Sequence, residues 1–395
     1  MPAPNRTHLS DLRGATRLAF DATVGITEIV ERMHRTIQQR PGPLGAAATD
    51  PTRGITGLVY RSIKGTMRLI GQGLDSGLAP VAGLLPAAGS TPGRDAFLSA
   101  LNGVYGDYLA HTDNPLAIEM SLRYRGRPLN PDRPISAMDD DAPDASGGRL
   151  LVMVHGLCLS DGHWQRDGHD HGAALAGDLC YLPLYLRYNS GLPVAQNGAA
   201  LAGLLERLVR SWPEPVQELV VIGHSMGGLV ARSACQHAQQ TGHIWLRSLR
   251  KLVFLGTPHH GAPLERGGQR LDDLMDLSPY SAPLTRIGKR RSAGITDLRH
   301  GSITAGAHRV VPLPASVSCY AAAATLGASR SKLSERLIGD GLVPLDSALG
   351  RHPDQARTLA IPGSRQWIGY QMGHLAMLNR LDLYEQLRGW LQDGG

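Results

Sequence analysis

Lysine is nearly absent from this chain. It stands only at Lys64, Lys251, Lys289 and Lys332, so the 40 basic residues are almost all arginine. With 34 acidic residues they leave a net charge of +6. In a sequence this rich in alanine, glycine and arginine, the surplus reads as coding bias, and no nucleic-acid partner is expected. A mildly basic surface still favours anionic membranes or substrates. Cysteine is scarce as well. Cys158, Cys180, Cys235 and Cys319 show no C-x-x-C spacing, which argues against a zinc site and a disulfide framework and leaves them as reduced, mostly buried thiols. Long apolar runs are missing too. No stretch reaches the ~20 residues of a spanning helix. The least charged segment, Ser76 to Gly93, is broken by Pro80, Pro86 and Pro92. Met1 to Thr16 lacks the apolar core of about 7–15 residues that a secretory signal needs. Together these absences lead to the expectation of a cytoplasmic protein.

What remains is ordinary globular material: 42% apolar and 19% charged residues over a 395-residue chain. That length allows two domains, or one α/β domain of about 250 residues with a large extension. Residues 1–115 read as a helical, glycine-rich N-terminal extension. Ile55, Leu58, Val59, Ile63, Met67 and Ile70 fall at spacings of three and four, the mark of an amphipathic helix. A further helix is expected over Asp95–Leu109. The extension reads either as a part packed on the catalytic domain or a second subunit, or as a surface that docks on membrane.

Residues 116–395 read as the catalytic domain. Ile118–Leu129 alternates apolar and polar residues with a turn at Gly126, a strand pattern. Short apolar segments then recur at Leu150–Val154, Cys180–Tyr188, Leu219–Ile222, Leu252–Leu255, Val317–Ala323 and Arg357–Ile361. Helical segments at Ala195–Arg210, Leu229–Gln239 and Leu375–Leu391 lie among or after them. Strands alternating with helices argue a doubly wound, mostly parallel sheet. The repeat is interrupted over residues 262–314, a length typical of a lid insertion. There Leu271, Leu274, Met275, Leu277, Leu284 and Ile287 are candidates to line an acyl pocket. The basic run Arg286, Lys289, Arg290, Arg291 reads as a solvated face, with an anionic head group as the alternative.

The chemistry centres on Gly223-His224-Ser225-Met226-Gly227, which follows an apolar strand and opens a helix. This is the G-x-S-x-G pattern of a nucleophile elbow. A serine on a sharp strand-to-helix turn sits in a strained conformation, and residues two places away must be small so that strand and helix can pass. Serine needs a base, the base an orienting acid, and the oxyanion needs donors. Met226 N–H, directly after the nucleophile, is one donor. His155-Gly156-Leu157 at the end of an earlier strand offers the other, on Leu157. Asp340, between Gly339 and Gly341, is the acid, with Asp346 as fallback. His374, in Gly373-His374-Leu375, is the base. The chain order Ser225, Asp340, His374 is that of α/β-hydrolases. His259 and His260 read as shaping the pocket floor, and His224 as structural. The His- and Asp-rich stretch Asp161–His171 reads as a polar loop over the site anchored by Trp164; its alternative is a metal site.

With these motifs in view, residues from 149 to 392 resemble an α/β-hydrolase of the lipase/esterase superfamily. They are most similar to bacterial lipase-like proteins related to the glycosylphosphatidylinositol inositol-deacylases. The shared marks are Val154-His155-Gly156-Leu157, Gly223-His224-Ser225-Met226-Gly227-Gly228, Gly256-Thr257-Pro258-His259-His260-Gly261, Gly339-Asp340-Gly341-Leu342-Val343-Pro344 and Gly373-His374-Leu375. The oxyanion segment departs from the HGGG type by lacking its extra glycines. The resemblance implies an α/β-hydrolase fold and a serine hydrolase cleaving carboxylic esters, with no cofactor and no metal. The substrate class is an ester or lipid-like molecule, and membrane contact would be peripheral, through the extension or lid. Acyl transfer or thioester cleavage by the same triad is the second hypothesis. A non-catalytic membrane- or partner-binding module on a hydrolase scaffold is the third. Oligomeric state is open.

Overall fold

The structure is a computed structural model that describes residue 17 and residues 92–132, 148–262, 292–305, 311–328 and 339–392. The amphipathic helix at 55–70, the apolar set Leu271–Ile287 and the basic run at 286–291 lie outside the described residues. Contacts divide the chain into two units. One comprises Met1–Thr91 and Leu109–Ala117, the other Pro92–Tyr108 and Ile118–Gly395.

The second unit is built on an eight-stranded sheet. Its strands are β1 (Ser121–Tyr124), β2 (Arg127–Pro128), β3 (Arg149–Val154), β4 (Leu182–Arg187), β5 (Glu218–His224), β6 (Leu249–Leu255), β7 (Ser318–Thr325) and β8 (Gln366–Tyr370). Their spatial order is β2-β1-β4-β3-β5-β6-β7-β8. The hairpin β1–β2 runs antiparallel to its neighbours, and β4 through β8, with β3, pair in parallel. Parallel strands covered on both faces need apolar residues at every position, and β3 and β5 supply them. Leu150, Val152 and Val154 join the core on one face, and Leu151 and Met153 that on the other.

Helices cover the two faces. The first core takes Leu201 and Leu205 of α3 (Val194–Ser211) and Leu229 and Val230 of α4 (Met226–Thr241). The second takes Leu175 of α2 (His171–Leu179) and Leu383 and Leu387 of α7 (Leu381–Gln392). The long helix α1 (Pro92–His111) contributes Val104 to the first core. Short helix α6 is Leu345–Ala348.

Helix α5 (Ala293–His300) falls in the stretch read as a lid insertion. Its Ile295 and Leu298 are buried in the first core, and Asp297 accepts the Val194 N–H at the start of α3 (2.8 Å). This part of residues 262–314 therefore belongs to the body of the sheet unit.

One strand differs from expectation. Leu359 and Ile361 are buried alternately, but the Leu359 N–H bonds to the Gly350 carbonyl and no ladder forms. Pro362 lacks a donor and ends the run. The strand that leads to His374 is β8, which begins at Gln366, after that run has ended. The helix expected at Leu375–Leu391 is split into a 3-10 turn, His374–Leu378, and α7.

The strand order has one functional consequence. From β3 the chain moves outward to β4, then crosses to β5 on the opposite side of β3. The connections that leave β3 and β5 therefore diverge at the carboxyl ends of these strands. In open α/β sheets such a switch point is where ligands bind. Among the described residues, no helix is long and apolar enough to cross a membrane.

Candidate active site

Ser225 follows β5 directly and caps α4, with φ 54° and ψ −124°. A residue with a Cβ adopts this region only under constraint, at a cost of about 1–3 kcal/mol. The constraint is the crossing of strand and helix. A Cβ on Gly223 would come 2.6 Å from the Gly228 Cα, and one on Gly227 would come 2.2 Å from the Val154 carbonyl oxygen. No side chain fits at either place, which is the steric basis of the motif. Pairing with β6 continues through the turn, with the Ser225 N–H bonded to the Leu255 carbonyl (2.8 Å). Met226 is the first residue of α4, where N–H groups have no carbonyl one turn upstream and the helix dipole is positive.

Gly156 lies against the elbow; a Cβ there would stand 3.0 Å from the Ser225 Cβ. The Gly156–Leu157 peptide is thus brought beside the serine at the switch point. Distant groups hold this loop. The Ser190 Oγ accepts the Cys158 N–H (3.1 Å), and the Tyr188 hydroxyl donates to the His155 carbonyl (2.8 Å). Cys158 itself sits at φ 59°. Its Sγ occupies space opposite Gly103 of α1, where a Cβ would come within 2.2 Å. Helix α1 therefore braces the loop, a role that no local pattern announces.

Asp340 and His374 meet beyond the ends of β7 and β8. The His374 Nδ1 and Asp340 Oδ2 are 2.6 Å apart, and both side chains are buried. The other carboxylate oxygen accepts the N–H groups of Leu342 (2.9 Å) and Val343 (2.8 Å). The His374 N–H also bonds to the Asp340 carbonyl (3.2 Å). Asp346 lies instead in α6, and no bond joins it to His374. A carboxylate facing Nδ1 fixes the proton on that nitrogen and leaves Nε2 bare. Nε2 is buried and has no hydrogen-bond partner among the described residues. Gly256, at the end of β6, makes room for the ring; a Cβ there would be 3.1 Å from the His374 Cε1.

His224 is fully buried, its ring 4.7 Å from that of His374. Burial first, and the neighbouring His374 second, push its pKa well below the usual histidine range. His259 is buried edge-on against Phe254, and its Nδ1 lies 3.3 Å from a guanidinium nitrogen of Arg232. Burial and then Arg232 keep it neutral. These contacts fix it in the loop after β6.

The stretch Asp161–His171 spends its polar groups on bonds that hold the fold. His163 bonds the Ser160 N–H (3.0 Å), Asp170 caps α2 and accepts the Tyr185 hydroxyl, and Asp161 pairs with Arg123 and Arg187. Trp164 is fully buried, 6.4 Å from the His224 ring. Among the described residues, no three or more His, Cys, Asp or Glu side chains group in a way that could hold a metal ion. Cys158, Cys235 and Cys319 are buried, and Cys180 is exposed.

Residues 199–311 match the family described as PGAP1-like alpha/beta domain. The chain is also similar to the solved lipase BlEst2 of Bacillus licheniformis in its mature form, at 19% identity and TM-score 0.42, over 63% of this chain and 94% of that one. Against lipase B of Aspergillus fumigatus the identity is 11% and the TM-score 0.41, over 70% of this chain and 57% of that one. Against a thermophilic esterase from Thermogutta terrifontis it is 16% and 0.37, over 62% and 89%. No curated protein matches. The mostly parallel, doubly covered sheet, the strained serine elbow at its switch point and the family match over 199–311 make this chain an α/β-hydrolase-fold protein.

Proposed function

We propose that this chain is a serine hydrolase that cleaves carboxylic esters through an acyl-enzyme on Ser225. The observation that carries the reading is the buried 2.6 Å bond between His374 Nδ1 and Asp340 Oδ2. It leaves His374 Nε2 as a bare base on the carboxyl-end side of the sheet, where β5 delivers the serine. Ser225 Oγ attacks the acyl carbon and its proton passes to His374 Nε2. Asp340 holds the Nδ1–H tautomer and stabilises the imidazolium. The negative oxygen of the tetrahedral intermediate is taken by the N–H groups of Met226 and Leu157, each worth on the order of 3 kcal/mol in the transition state. His374 returns the proton to the departing alcohol, and water repeats the sequence in reverse on the acyl-serine.

None of these steps calls for a metal or an organic cofactor. The substrate class is an ester or lipid-like molecule, as the lipase and esterase neighbours suggest. A lid within residues 262–314, and peripheral membrane contact through the N-terminal extension (residues 1–115) or that lid, are further parts of this proposal. Ser225→Ala tests it: hydrolysis of p-nitrophenyl esters should disappear while the circular dichroism of the folded protein is kept. A folded Ser225→Ala protein with undiminished turnover overturns it. Ester products formed with added acceptor alcohols would identify the enzyme as an acyltransferase instead.

A further inference from the structure

Two imidazoles outside the scheme above point at the same short turn. The His224 Nε2 lies 3.2 Å from the carbonyl oxygen of His374. The His171 Nε2 lies 2.9 Å from the carbonyl oxygen of Met377. A carbonyl only accepts, so each Nε2 carries a proton and each ring donates. The two donors come from separate elements: His224 ends β5 and His171 begins α2. Both side chains are fully buried.

The turn they reach is the 3-10 segment His374–Leu378. Such a segment has poor internal hydrogen-bond geometry and does not fix its own orientation firmly. Its outward carbonyls, buried without partners, would also be costly. The two histidines answer both needs. His224 has a further property. It is joined directly to Ser225, so the backbone that presents the nucleophile also grips the residue that carries the base. His171 is itself supported. The His169 Nε2 lies 2.8 Å from its Nδ1, and its ring is parallel to that of Tyr384 on α7, 6.1 Å away.

We propose that His224 and His171 are positioning residues, whose Nε2–H donors clamp the backbone of the turn carrying His374 and so fix the reach of its Nε2 to Ser225. The proposal rests on the role given to His374 above. Neither histidine touches the reacting atoms; each acts through a carbonyl of the turn.

The discriminating variants are glutamine and asparagine. A glutamine amide places an N–H near the position of Nε2, whereas asparagine is too short and imitates Nδ1. His224→Gln and His171→Gln are expected to keep kcat on a p-nitrophenyl ester within about fivefold of wild type. His224→Asn and His171→Asn are expected to lose about 10- to 100-fold in kcat with KM held within about twofold, since a misplacement of about 1 Å is enough for such a loss. A purely structural role would lower the melting temperature without separating glutamine from asparagine in kcat. In ¹⁵N-histidine NMR of the wild type, both residues should show the Nε2–H tautomer. Folded asparagine variants that turn over like wild type would overturn the clamp, as would equal losses in the glutamine and asparagine pairs or an Nδ1–H tautomer at His224. If one asparagine variant fails to fold, the other position and the tautomer measurement decide. A wild-type protein inactive on every ester would remove the base role itself and the clamp with it. An active wild type with indifferent variants removes the clamp alone.

Discussion

Asp340→Asn changes one atom in the buried pair and should stop the enzyme almost completely. One oxygen of Asp340 accepts two backbone N–H groups, from Leu342 and Val343. An amide nitrogen cannot accept, so the asparagine oxygen must stay on that side, and its NH2 then faces His374 Nδ1. At 2.6 Å two N–H donors cannot face each other. The imidazole responds by moving its proton to Nε2, the nitrogen that must take the serine proton. The base is blocked by its own tautomer. The same replacement in serine proteases lowers kcat about 10⁴-fold, which corresponds to about 5 kcal/mol of barrier at 1.36 kcal/mol per decade. Shape and the two backbone bonds are retained, so the melting temperature should change little. The assay is p-nitrophenyl ester turnover of Asp340→Asn beside Asp346→Asn. Turnover of Asp340→Asn within about tenfold of wild type, against the ~10⁴ expected, would refute the reasoning, as would an equal fall in Asp346→Asn.

Three further outcomes follow from other parts of the fold. Ser225→Gly relieves the positive-φ strain at the elbow, worth about 1–3 kcal/mol, so it should melt above Ser225→Ala; a lower melting temperature contradicts the strain. His155 is held by burial at a pKa of about 4 in the folded state, against 6.5 for a free histidine. The unfolded chain therefore binds the extra proton between pH 6.5 and 4, and stability falls by up to about 3 kcal/mol as pH drops through that window. His155→Asn should flatten urea midpoints over the same range, and an unchanged slope counts against the burial effect. Asp161 pairs with Arg187 at 2.5 Å and with Arg123 at 3.0 Å, with little solvent access. Asp161→Ala leaves Arg123 without its carboxylate and Arg187 with Asp95 alone (2.6 Å), and should cost about 2 kcal/mol in denaturant unfolding, between the values for an exposed and a fully buried pair; a loss under about 1 kcal/mol, the value of an exposed pair, would argue against it.

The parts of this protein that a local pattern can encode were legible in its sequence. Val220–Ile222 reads as a buried parallel strand, and Gly223 and Gly227 mark a crossing too tight for a Cβ. Asp340, between glycines that both take positive φ, reads as a residue on a sharp turn after a strand. The strand before His374 was not legible. Leu359 and Ile361 alternate like a strand because they are buried, but burial in a loop gives the same alternation, and Pro362 was the signal against it. The bracing of the His155–Cys158 loop by Gly103 and Ser190 was also hidden. These contacts join segments far apart in sequence, and the residues involved, glycine and serine, carry no distinctive pattern. In the sequence His224 and His171 read as structural or loop residues. Their direction toward the carbonyls of one turn exists only in three dimensions.

Covalent labelling of Ser225 bears most directly on the proposed chemistry. Folded wild-type protein is treated with a fluorophosphonate and its peptides are read by mass spectrometry. The phosphonyl adduct is expected on the peptide containing Ser225, absent in Ser225→Ala and formed far more slowly in His374→Ala. An unmodified Ser225 in folded protein, or an adduct that persists in Ser225→Ala, would contradict a nucleophilic serine at this elbow.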